Sequence, residues 1–143
     1  MLRSVHRLVA WQRHLLYGAG GALLLSGVAW LAIHYGRGSD TLPAPLEAWL
    51  MRLHGLAAFA ALFAFGVLAA AHVPQGWRFT HRRKWASQRS SGLLLCLLAG
   101  ALAITSYLLY YFAPDSIRPA LGSLHSGLGA TMAVLVLAHR RNE

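Results

Sequence analysis

Four long stretches of this chain carry no Asp, Glu, Lys or Arg: Leu15 to Tyr35, Leu53 to Val73, Ser91 to Ala113 and Pro119 to Ala138. Each reaches or nearly reaches the roughly 20 residues that cross a bilayer core of about 30 Å as a helix. Only 12% of the 143 residues are charged and 57% are hydrophobic, against about 25% charged in an ordinary soluble domain. The chain therefore reads as a polytopic membrane protein. Four spans joined by short loops predict an all-α membrane four-helix bundle in up-down-up-down order. It is expected to form one integral domain over residues 1–143, with spans near 15–35, 48–72, 91–112 and 119–139.

The first run is too long for the apolar region of an ordinary signal peptide, about 7–15 residues, and no small-residue cleavage site follows it. It counts as a span. Gly18, Gly20 and Gly21 at its start suggest close approach of a neighbouring helix or a flat cofactor. The next two loops are marked by Pro and Gly. Gly36 to Pro45 reads as an external loop, and Pro74 and Gly76 stop the second span. The basic segment from Gln75 to Ser90 is the longest polar stretch. Tyr107, Tyr110, Tyr111 and Phe112 close the third span as an interfacial aromatic belt, and Ala113 to Pro119 makes a tight external turn.

The formal net charge of +9 has a topological cause. Arg3, Arg7 and Arg13 precede the first span, Arg78, Arg82, Arg83, Lys84 and Arg89 follow the second, and Arg140 and Arg141 follow the fourth. These ten of the 13 basic residues fall on one side of the membrane, leaving Arg37, Arg52 and Arg118 toward the other with Asp40, Glu47 and Asp115. The positive-inside rule puts both termini in the cytoplasm. A membrane explanation of the charge makes nucleic acid an unsuitable partner. The single cysteine, Cys96, can form neither an internal disulfide nor a Cys-x-x-Cys-His attachment site for c-type haem. It reads as a small apolar filler.

Histidines inside apolar helices carry the chemistry. An imidazole in hydrocarbon is costly, so intramembrane histidines mark function by default. His54 and His72 lie 18 residues apart in the second span, which at about 100° per residue returns to one helical face. His125 and His139 lie 14 apart in the fourth, within about 40° of one face. The second and fourth spans run in the same direction, so each leaflet receives one histidine from each. Two neutral imidazoles facing each other across a porphyrin are what bis-His ligation of haem iron requires. Gly55 and Ala58 beside His54, and Gly122 and Gly129 beside His125, would give a flat macrocycle room. Arg52 and Arg118, near the outer ends of these helices, would either pair with haem propionates or snorkel to headgroups.

The inner pair is less regular. His54 and His72 are about 27 Å apart along their axis, whereas His125 and His139 are about 21 Å apart. The alternatives are interfacial anchoring of His72 and His139, or His14 at the start of the first span replacing His72 opposite His139. His34 faces about 200° away from His14 and suits an interfacial or propionate-contacting role. His6 and His81 belong to solvated basic stretches, although His81 with Trp77, Lys84 and Trp85 would suit a quinone headgroup.

On these residues the chain resembles the bacterial four-helix membrane cytochromes b, a group that includes cytochrome subunits of hydrogenases and formate dehydrogenases and the di-haem superoxide oxidases. The resemblance rests on Leu53-His54-Gly55 in the second span and on Leu124-His125-Ser126-Gly127 with His139 in the fourth. His14-Leu15-Leu16 is similar to the ligand-bearing start of the first span in the superoxide-oxidase type. It implies two non-covalent b-type haems, at least one being required, in a multi-pass protein of the bacterial inner membrane. It also implies lipid contact, electron transfer between a quinone pool and a redox protein or larger oxidoreductase complex, and a quinone as a possible ligand. With short loops and no separate catalytic domain, an electron-transfer subunit is favoured over a stand-alone enzyme. Two readings compete with it: a superoxide-oxidase-like enzyme drawing an anion to Arg37, Arg52 and Arg118, and a haem-free accessory or assembly protein whose histidines bond between helices.

Overall fold

A computed structural model describes residues 9–38, 41–74 and 86–141, and only the backbone of residues 71, 72, 86–89 and 141. The chain is all-α, as expected, with four helices, each long and apolar enough to cross a membrane: α1 (Ala10–Gly36), α2 (Pro45–Val67), α3 (Ala86–Tyr111) and α4 (Arg118–Arg141). Helical backbone satisfies its own N–H and C=O groups, which is what a hydrocarbon surrounding demands. The helices exceed the uncharged runs at several ends. Ala86 to Ser90, expected as loop, are the opening residues of α3. Hydrophobicity stops where water begins, but a helix continues while its backbone hydrogen bonds do.

The fold divides into two compact units, one spanning α1 and α2 up to Val67 and the other running from Leu68 through α3 and α4. In the first unit α1 packs against α2, and in the second α3 packs against α4. Both pairs are antiparallel hairpins. On α1 and α2, Ser26 meets His54 and His34 meets Glu47, so numbering climbs on one helix as it falls on the other. On α3 and α4 the correspondence is closer: Ser91 meets His139 and Thr105 meets His125, a step of 14 residues on each helix.

Small residues make these contacts. The buried apolar side chains among the described residues are Ala19, Ala57, Ala64, Leu98 and Ala113. Helices in a membrane gain little from hiding Leu from lipid, so they associate where small side chains let backbones approach and polar groups bond across. The large apolar side chains point outward instead, among them Leu25, Phe59, Phe63, Leu97 and Val134.

Each hairpin turn is fastened by charge. At the end of α1, the Arg37 Nε lies 3.3 Å from Glu47 Oε1, and its Nη1 donates to the Thr41 carbonyl at 2.6 Å. Glu47 Oε1 also accepts from the Ala44 N–H at 3.1 Å, which caps the start of α2. Between α3 and α4, Arg118 donates to the carbonyls of Ala113 at 2.7 Å and Leu109 at 3.1 Å, with Asp115 at 3.6 Å. These bonds occupy carbonyls that the end of α3 leaves without helical partners.

The end of α2 differs from the expected continuous helix. The α-helical backbone stops at Val67, and Leu68–His72 form a π-helical turn. Such a turn amounts to one residue inserted into the ladder. The count that put His54 and His72 on one face assumes uninterrupted α-helix, so it does not carry through Leu68–His72 as a matter of backbone register.

Candidate functional site

The most deeply buried polar side chains among the described residues are Ser26, at 2% exposure, Glu47 at 5% and Thr105 at 7%. Two of these three are bonded to the candidate ligand histidines. The Ser26 Oγ lies 2.9 Å from His54 Nδ1, and the Thr105 Oγ1 lies 2.8 Å from His125 Nδ1. A third pair of the same kind joins Ser91 Oγ to His139 Nδ1 at 2.7 Å. In each case a hydroxyl on one helix of a hairpin holds an imidazole on the other by the same ring nitrogen.

Two of these hydroxyls also lie within bonding distance of the preceding turn of their own helix. The Ser26 Oγ is 2.6 Å from the Ala22 carbonyl oxygen and 3.2 Å from that of Leu23. The Thr105 Oγ1 is 2.8 Å from the Ala101 carbonyl oxygen and 3.1 Å from that of Leu102. A hydroxyl has one hydrogen to donate, so either oxygen can accept from the ring while it donates to its own helix. An imidazole bonded in that sense carries its proton on Nδ1 and its lone pair on Nε2.

The surroundings of the rings are shaped by missing side chains. A Cβ built on Gly27 would come 3.4 Å from His54 Cε1, so the glycine leaves the ring room close to α1. Gly92 stands in a similar relation to His139, at 3.9 Å from Cε1. Beside the two histidines on their own helices, Gly55, Gly122, Gly127 and Gly129 would each place a Cβ in open space.

The other sequence candidates have individual placements. His14 is exposed on α1. His72 ends the π-helical turn, and its side chain lies outside the described residues. So do His6, Trp77, His81, Lys84 and Trp85. Arg52 is exposed, with its Cζ 4.8 Å from the centre of the Trp49 ring. Arg118 is exposed and bonded to α3 carbonyls as described. His34 stacks on Trp30 with ring centres 4.3 Å apart and bonds Glu47 Oε2 through Nδ1 at 2.9 Å.

Sequence reasoning names the histidines but not their partners. Ser91 is read there only as opening the third span and Glu47 only as an external acid, and Ser26 and Thr105 are not read at all, although a signal exists for three of the four. Ser91 and Thr105 repeat at the 14-residue interval of His125 and His139, and a matched interval on the next antiparallel helix marks facing pairs. Glu47 stands three residues after Ala44 at the start of a helix, where a side chain can bond back to the cap.

Among the described residues no group of three or more His, Cys, Asp or Glu side chains could hold a metal ion directly. Compared with known protein families, curated proteins and solved structures, the chain matches none.

Proposed function

We propose that this chain is a b-type cytochrome that carries electrons across a membrane through two bis-His haems. His54 and His125 would ligate the outer haem, and His139 the inner one with His72 or His14. The observation that carries this reading is the hydroxyl placed at Nδ1 of both His54 and His125, the ring nitrogen that keeps the proton when an imidazole ligates through Nε2. Bound haem would supply one-electron redox chemistry, and this chain's histidines and their burial would tune its potential. The residues present fit such a group: intramembrane imidazoles on each hairpin, glycines beside them, and a single cysteine, which cannot supply a thiol pair for covalent attachment.

The function that follows is electron transfer in a multi-pass protein of the bacterial inner membrane, with both termini cytoplasmic. Its partners would be lipid, a quinone and a redox protein or larger oxidoreductase complex. The superoxide-oxidase variant draws less support. Arg37 is engaged by Glu47 and Arg118 by the α3 carbonyls, so two of its three anion-attracting residues have structural employment.

The haem-free reading is favoured by one observation, since the same Ser–His and Thr–His bonds join helices and would hold a hairpin without any cofactor. The two readings separate on the reduced-minus-oxidised optical spectrum of protein purified after haem-replete expression. A Soret band, a sharp α-band and two haems per chain by pyridine haemochrome are expected. Removing either His54 or His125 by substitution to Ala should reduce the stoichiometry by one. A protein with no Soret absorption, or full haem content in both variants, rejects the cytochrome.

A further inference from the structure

We propose that Ser26, Thr105 and Ser91 are positioning residues, each fixing through Nδ1 the tautomer and ring plane of a haem-ligating histidine and thereby setting the potential of its iron. The inference rests on the cytochrome reading and goes beyond it, because it assigns a redox role to three side chains that touch no iron.

Three observations support it. The hydroxyls are placed at the same ring atom in all three pairs, at 2.7 to 2.9 Å. Glue between helices would not require one nitrogen in preference to the other. Two of the hydroxyls also reach the preceding turn of their own helices, which gives each a place to donate its hydrogen while it accepts from an Nδ1–H, the proton a histidine keeps when it ligates through Nε2. A Ser or Thr bonded to its own helix in this way contributes little new stability to that helix, whereas it orients the oxygen toward the ring. Finally, Ser26 and Thr105 are almost wholly buried. In a low-dielectric surrounding a hydrogen bond of this kind is electrostatically stronger than in water.

The physical consequence has a definite sign. An imidazole that donates Nδ1–H to an acceptor becomes more basic at Nε2. A more basic ligand favours ferric over ferrous iron and lowers the midpoint potential. Deleting the acceptor reverses both effects and lets the ring rotate about its Cβ–Cγ bond. Ser26→Ala, Thr105→Val and Ser91→Ala should therefore each shift to higher potential the haem that the affected histidine ligates.

The experiment is a redox titration of haem-loaded protein with the low-spin EPR signal read in parallel. It uses the three deletion variants beside the conservative Ser26→Thr, Thr105→Ser and Ser91→Thr. A positive shift in potential, a moved EPR signal and a haem affinity about 10- to 100-fold weaker are expected for the deletions, with the conservative changes close to wild type. Unchanged potential and EPR in loaded deletion variants overturn the proposal while leaving the cytochrome standing. Equal damage in deletion and conservative variants also overturns it, since packing alone would explain that result. A second readout needs no haem. The ¹⁵N shifts of His54 and His125 in haem-free protein should report Nδ1–H, moving toward Nε2–H in Ser26→Ala and Thr105→Val. Rings already in the Nε2–H form in wild type reject the clamp whatever the haem content.

Discussion

At the scale of single residues, the Nδ1–Cε1 edge of the His54 ring meets two adjacent features of α1, the Ser26 hydroxyl and the bare Cα of Gly27. The glycine margin is narrow. A methyl at position 27 would sit 3.4 Å from the imidazole, ordinary van der Waals contact at its tight limit, but a branched side chain would not fit. Gly27→Ala is thus expected to keep the His54 environment, and Gly27→Val to lose it at a cost of about 1–3 kcal/mol in hairpin stability. Haem content and thermal unfolding of the two variants check this. The 3.9 Å clearance at Gly92 makes Gly92→Ala the more tolerant counterpart beside His139. A Gly27→Val protein with native haem content would show that the ring does not lie where the α1–α2 packing puts it.

At the scale of elements, each hairpin has a polar fastening at its turn and a hydroxyl–imidazole bond further along. The turn fastenings differ in burial. Glu47 is buried and serves His34, Arg37 and the Ala44 N–H together, whereas Arg118 and Asp115 are exposed. Removing a buried carboxylate strands its partners, while exposed pairs are screened and worth about 1 kcal/mol or less. Glu47→Ala should accordingly lower the unfolding temperature far more than Asp115→Ala, as measured in one detergent by a thermal shift assay. The π-helical turn at Leu68–His72 bears on the choice between His72 and His14 as the second ligand in the proposed cytochrome. Under that proposal, His72→Ala and His14→Ala, each assayed for haem stoichiometry, should split cleanly, with one costing a haem and the other leaving it. Loss in neither would remove both from the ligand set.

For the whole molecule, composition and charge govern how the chain sits in a membrane. The exposed large apolar side chains of the four helices suit hydrocarbon, and the charge distribution predicts that most of the basic residues lie on the cytoplasmic face. The orientation is directly testable in a Cys96→Ala background. Thr41→Cys and Ser116→Cys, in the two turns expected outside, should react with a membrane-impermeant thiol reagent in cells whose inner membrane is intact. Reaction only after permeabilisation would invert the topology and, with it, the assignment of outer and inner haems.

How much of this was legible beforehand depends on which physical force wrote it. Hydrocarbon solvation acts on runs of 20 residues, so the four spans, the all-α class and the hairpin turns could be read from Leu15–Tyr35 and its three successors. Intramembrane cost acts on single polar residues, so His54, His125 and His139 stood out as well. Helix ends were misplaced by a few residues, as at Ala86–Ser90, because backbone bonding outlasts apolar composition. The partners of the histidines belong to another category. A serine in an apolar helix commonly bonds its own preceding turn, and Ser26 does that too. Only the antiparallel register of α1 on α2 and of α3 on α4 brought Ser26, Thr105 and Ser91 to a ring nitrogen, and only Glu47 lying against the end of α1 joined it to His34 and Arg37. Contacts between helices depend on rotation and axial offset, which one helix's periodicity does not encode, and a π-helical turn shifts even that periodicity.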